Sequence, residues 1–231
     1  MKVATSIVLG NQALPELAAE AVRNAMLKAD MSIANSVLLL LTSEFAANPQ
    51  AAILAAAKAA NCMQVMGCSA TGIFTEEDWV LDAPAAAAMV FGGDITLQLL
   101  QHNFNHQPLL TLSAPNAINS TWLDDGHARY GGVSGDAIGQ GPFSVWQNAK
   151  GDVTGYVQAF FSGAKVVSTA SHGLQQISQP MIVEQVRDFD LIQLGKLHNP
   201  FIALKKAWQS NSKRSAPVPM HMVIALYADS A

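Results

Sequence analysis

Three short apolar runs separated by two stretches of helical spacing fill the first seventy residues, and this alternation constrains the fold more than any other feature. Val3 to Leu9 ends at Gly10-Asn11. Leu14, Leu17, Ala18, Ala21, Val22, Ala25 and Met26 then line one face of a helix over Pro15 to Ala29, with the proline in its first turn. Val37-Leu38-Leu39-Leu40-Leu41 is an unbroken strand that ends in Thr42-Ser43-Glu44. Asn48-Pro49 predicts an N-cap and first helical residue, opening an alanine-rich helix to about Asn61. Met63 to Met66 is the third strand, and Gly67-Cys68-Ser69-Ala70-Thr71-Gly72 follows it at once as a turn. The order is βαβαβ, and strands that are apolar throughout call for a sheet covered on both faces.

Beyond Gly72 the pattern changes to short strands. Ala86 to Phe91, Thr96 to Leu100, Leu109 to Leu112, Phe143 to Gln147, Thr154 to Phe161, Lys165 to Thr169, Met181 to Val186 and Phe189 to Leu194 read as a meander, with turns at Gly151 and Gly163. Asn199-Pro200 opens a helix over Phe201 to Trp208. The fold class is α/β: an N-terminal βαβαβ unit with mostly parallel strands, then a strand-rich meander, together a layered sandwich. Residues 1–209 are expected to form one domain. Residues 210–231 are expected to be a polar linker, Ser210 to Pro219, and the first strand of a truncated second domain, Met220 to Tyr227.

Composition removes several function classes. With 13 basic and 17 acidic residues the net charge is −4 and no basic cluster marks a nucleic-acid partner. Ala51 to Ala57 and Ala85 to Phe91 fall far short of the ~20 apolar residues of a spanning helix, so a soluble, cytoplasmic protein without a membrane partner is expected. Two cysteines, Cys62 and Cys68, are too few for a disulfide framework and match no zinc spacing. They read as small thiols in a reducing compartment.

In an open α/β sheet, ligands sit beyond the carboxyl ends of the strands. Those ends are Gly10-Asn11, Thr42-Ser43-Glu44 and Gly67 to Gly72, all small or polar and suited to a small polar ligand. Ser69 invites comparison with a nucleophile elbow, with Gly67 at −2, but Gly72 falls at +3 where the motif needs +2. A hydrolase would recruit Ser69 or Cys68, with Asp124 or Asp136 and His127 or His172 as partners. The cluster Gly131-Gly132-Val133-Ser134-Gly135-Asp136, with Gly139 and Gly141, is neither a Walker A loop nor a dinucleotide fingerprint, and it lets the backbone approach a ligand or a strand closely. His102 and His106 are four apart within a polar loop, a weak metal signal, and no metal is expected.

Gln64-Val65-Met66-Gly67-Cys68-Ser69-Ala70-Thr71-Gly72, followed by Gly131-Gly132-Val133-Ser134-Gly135-Asp136, resembles the FIST sensory domain. That family shows a Gly-Cys-Ser turn with a nearby glycine and then a Gly-Gly-x-x-Gly-Asp turn. The resemblance implies a non-enzymatic ligand-sensing module of bacterial signalling, binding amino acids or similar metabolites and read by a signalling protein. Some relatives are haem proteins that sense nitric oxide, so haem is the alternative to no cofactor, with His172 or His127 as axial ligand. The residues implied are Gly67, Cys68, Ser69 and Gly72, with Gly131, Gly132, Gly135 and Asp136; Ser134, Asn11 and Ser43 join them as rim residues. Where the family often carries an acid after the glycine, this chain has Ile73-Phe74, and its acids come at Glu76-Glu77-Asp78.

Overall fold

The computed structural model describes residues 2–99, 107–123, 125–135, 144–152, 154–167, 175–188, 190–197, 199–212, 217–218, 220 and 223. The chain divides into two compact units, Met1–Ser168 and Thr169–Ala231. The first unit begins β1 (Lys2–Leu9), α1 (Pro15–Lys28), β2 (Ser36–Thr42), α2 (Gln50–Ala60) and β3 (Val65–Ala70). It continues with β4 (Gly72–Phe74), β5 (Trp79–Leu81), β6 (Ala85–Gly92), β7 (Thr96–Leu99), β8 (Leu109–Ser113), β9 (Arg129–Val133), β10 (Val145–Gln147), β11 (Lys150–Gly151) and β12 (Tyr156–Ser162). The second holds β13 (Val183–Arg187), paired antiparallel with β14 (Asp190–Leu194), and α3 (Pro200–Ser212).

The α/β class is as read, with a mixed main sheet of order β1-β6-β2-β3-β10-β11. β1, β2 and β3 run the same way, yet β2–β3 is the one parallel pair described in it, because β6 enters between β1 and β2 antiparallel to both. β10 lies antiparallel on the other side of β3. A second sheet, β7-β12-β8-β9, has one parallel pair, β8–β9.

Period-two alternation sends side chains to two different layers. Val37, Leu39 and Leu41 of β2, Val65 of β3 and Ala86, Ala88 and Val90 of β6 share a core with Ala18, Ala21, Val22 and Ala25 of α1 and Ala52, Ile53 and Ala56 of α2. Their neighbours Met66, Cys68 and Phe91 share another with Leu97, Leu110, Leu112, Val157 and Ala159 of the second sheet. The unbroken apolar strands are therefore accounted for: helices cover one face and a sheet covers the other.

Several boundaries move. Pro49, expected at the first helical position, is the N-cap of α2, and its carbonyl accepts the Ile53 amide at 3.0 Å. Gly67, Cys68 and Ser69, expected as a turn, lie inside β3, paired with β2 in the order Leu39, Leu40, Leu41. Gly131 and Gly132 likewise lie inside β9. Residues 165–167 are not strand, and β12 starts only at Tyr156 because Asp152 Oδ1 holds the Thr154 amide at 2.8 Å and Gly155 turns at φ +76°. Asp124, Asp136, Gly139, Gly141, Phe143, Thr169, Phe189, the histidines 102, 106, 172, 198 and 221, and nearly all of the expected strand 220–227 lie outside the described residues. Among the described residues no helix is long and apolar enough to cross a membrane.

Candidate functional site

The carboxyl end of β3 is where the two glycine-bearing segments meet. Ser69 is fully buried, its amide donates to the Ser144 carbonyl at 2.9 Å, and its Oγ accepts the Ser144 amide at 3.1 Å. Ser144 Oγ in turn donates to the Ala46 carbonyl at 3.1 Å. On the other flank, the Gly135 amide donates to the Ser69 carbonyl at 3.3 Å, and the Ser134 amide donates to the Ser113 carbonyl at 2.8 Å. A Cβ on Gly135 would lie 3.3 Å from Thr71 Oγ1. Ser69, Thr71, Ser113, Ser134 and Ser144 thus form a hydroxyl-rich junction between the main sheet and the exit of β9.

One atom in this junction is anomalous. Ser134 is 1% exposed, and its Oγ has no hydrogen-bond partner among the described residues. A buried hydroxyl without a partner costs roughly 1–3 kcal/mol, so natural sequences keep one where something else satisfies it.

The other residues singled out in the sequence serve differently. Gly67 makes room: a Cβ there would lie 1.7 Å from the Leu39 carbonyl oxygen and 2.6 Å from Trp146 Nε1. Gly131, at φ +144°, lets β9 approach β8, where a Cβ would meet the Thr111 carbonyl oxygen at 1.9 Å. Gly132 faces open space, and Gly72 lies under the Leu81 side chain. Cys68 points into the core between the sheets, and burial pushes its thiol up to about 12. Asn11 is exposed in the loop after β1, and Ser43 opens the 3-10 turn Ser43–Phe45; both stand at the same sheet edge as Ala70, which pairs with Thr42. Asp136 follows Gly135 but lies outside the described residues.

Neither nucleophile of the hydrolase alternative has the geometry of an elbow. Ser69 sits within a paired strand with its Oγ engaged by a backbone amide, and Cys68 is held as a thiol and not a thiolate. Cys62 and Cys68 are both free. Sequence reasoning missed Ser113 and Ser144, whereas Thr71 lay in the segment Gly67 to Gly72 that it offered. Ser144 carries no local signal, since only the antiparallel placement of β10 brings it to β3.

The loop entering β9 is held by charge. Arg129 pairs with Asp125, donates to the Trp122 carbonyl at 3.0 Å and stacks 5.2 Å over the Trp122 ring. The guanidinium keeps the Asp125 carboxyl well below the usual carboxylate range, and the same carboxylate accepts the His127 amide at 3.0 Å. Among the described residues no group of three or more His, Cys, Asp or Glu could hold a metal ion. A shallow concavity lined by Met26, Leu27, Asp30, Met31 and Ser32 lies at the opposite edge of the main sheet, where Gly92 packs on Met31.

Helices on one face of a mixed sheet, a second sheet on the other and a hydroxyl-lined junction at the strand ends define a layered α/β domain. The chain matches the FIST N domain family over residues 36–195, more than half its length, and belongs to that family of sensory domains in signal transduction. Among curated proteins, none matches it significantly.

Proposed function

We propose that this chain is a small-ligand sensor whose ligand, an amino acid or similar polar metabolite, is held at the junction of β3 and the β9 exit. The observation that carries the reading is Ser134 Oγ, a buried hydroxyl without a partner among the described residues, one residue from the backbone bond that ties the two family segments together. Ser69 and Thr71 lie against the adjacent Gly135, with Asp136 the next residue along the chain. Two free cysteines suit a reducing cytoplasm, in keeping with a bacterial intracellular signalling role. Ligand binding shifts the population of the form that a signalling partner reads, in proportion to its differential affinity for the two forms.

A thermal-shift panel of amino acids and polar metabolites tests this, with haem as one component. A ligand at 100 times its Kd adds about 2.7 kcal/mol of stability, a shift of several degrees for a chain of this size. Ser134→Ala is expected to leave the unliganded melting temperature unchanged or slightly raised and to weaken the shift. Equal ligand shifts in Ser134→Ala and the wild type would remove the junction as the site. A Soret band on titration with haem would transfer the reading to gas sensing. His127, the described axial candidate, stands in a polar turn beside Asp125 and Arg129, and nothing there favours a porphyrin.

A further inference from the structure

A hairpin leaves the junction directly. β4 and β5 pair with Gly72 opposite Leu81, Ile73 opposite Val80 and Phe74 opposite Trp79. Alternation puts Ile73 and Val80 on the inner face, where they are 3% and 7% exposed and share a core with Ala85 and Ala87. The outer face carries Phe74, Trp79 and Leu81, exposed at 78%, 66% and 53%. Leu81 lies across Gly72, one cross-strand pair along the same face from Phe74 and Trp79. With its inner face anchored, the hairpin cannot turn this face inward.

The rim of this face is acidic. The turn carries Glu76, Glu77 and Asp78, the exit carries Asp82, and residues 72–82 contain no lysine or arginine. Three of them are held in place: Glu76 accepts the Thr5 hydroxyl, Glu77 is ion-paired with Lys28 Nζ at 2.5 Å, and Asp78 accepts the Trp79 amide at 2.8 Å, so among the described residues Asp78 and Asp82 carry rim charge that no ion pair offsets. An exposed cross-strand aromatic pair framed by fixed carboxylates is the complement of a surface that is apolar at its centre and cationic at its edge.

From this we propose that the outer face of the β4–β5 hairpin is a docking surface for a basic amphipathic segment of a protein partner. The charge selects the occupant. Nucleic-acid phosphates and anionic lipid head groups are repelled by the rim that attracts lysine and arginine, and a second copy on a twofold axis would bring carboxylates against carboxylates. The surface stands independently of the ligand reading.

Fluorescence anisotropy on the full chain tests it with two labelled peptides of about 18 residues, an amphipathic leucine–lysine helix and its leucine–glutamate counterpart. The lysine peptide is expected to bind at least about tenfold tighter than the glutamate one, and to weaken with salt. Phe74→Ser combined with Trp79→Ser is expected to weaken it about tenfold or more while the melting temperature holds, since both side chains are exposed. Asp78→Asn with Asp82→Asn is expected to reduce both the affinity and its salt dependence. Equal affinity of the two peptides, or undiminished binding by the Phe74/Trp79 variant, would overturn the proposal. So would a concentration-dependent dimer in sedimentation, or binding to phosphatidylglycerol vesicles, that this variant abolishes.

Discussion

At Gly67 a single hydrogen atom is the largest side chain the fold admits, because a methyl group would lie 1.7 Å from a backbone oxygen on β2, which cannot swing aside. Gly67→Ala is expected to cost about 3 kcal/mol or more, or to prevent folding, by the overpacking and strand separation it forces. Gly132→Ala is the matched control: its Cβ would meet nothing within 4 Å, and its cost should stay within about 0.5 kcal/mol. Neither glycine has a positive φ, so urea denaturation of both variants reads the effect of space alone. Cys68 gives a second residue-scale prediction. Its thiol rises from 9.0 to about 12 in the folded chain, so below pH 9 both states hold the proton and the contribution to stability is complete. Above pH 9 the unfolded chain loses the proton first, and stability falls until about pH 12. Between pH 8 and pH 10 the wild type should lose about 1.4 kcal/mol more than Cys68→Ala, read from urea midpoints.

At the scale of elements, small residues set the spacing of the layers. Ala52, Ala56 and Ala60 recur on the buried face of α2, and α1 answers with Ala18, Ala21 and Ala25. Ala56→Leu forces three extra side-chain carbons into the buried face of α2 and is expected to cost about 1–3 kcal/mol. Leu54→Ala, at a position 48% exposed, should cost under about 1 kcal/mol; thermal unfolding compares the two. These helices were legible because their apolar spacing repeats along the chain, and β2 was legible because five consecutive apolar residues fit no exposed helix. The segment Gly67-Cys68-Ser69 was not, since small polar residues suit a turn and a strand squeezed under Trp146 equally well. Nor was the insertion of β6, whose four leading alanines carry no side-chain marker of which strands they separate. The two glycine-bearing segments were legible in order, and they meet where the Gly135 amide donates to the Ser69 carbonyl. The hydroxyl partners Ser113 and Ser144 were not, because tertiary pairing alone brings them there.

For the molecule as a whole, burial is unequal between the units. The three apolar clusters all draw on residues of Met1–Ser168, whereas among the described residues of Thr169–Ala231 Ala203 alone is a buried hydrophobic. A fragment of residues 1–168 is expected to fold and to melt within a few degrees of the full chain, since melting follows the core that is lost. Limited proteolysis followed by calorimetry checks this; a fragment that unfolds would show that the second unit supplies essential stability. One consequence of the strand order concerns synthesis. β1 finds its partner in β6, from Leu9 opposite Ala85 to Lys2 opposite Gly92. A ribosome adding 5–20 residues per second makes the first strand wait on the order of 5–15 s for its mate. During that interval α1, which packs on β1, is the shelter at hand. Slower elongation through the first ninety residues is therefore expected to lengthen the exposure of β1 and raise the aggregated fraction, read as the insoluble share of freshly made chain.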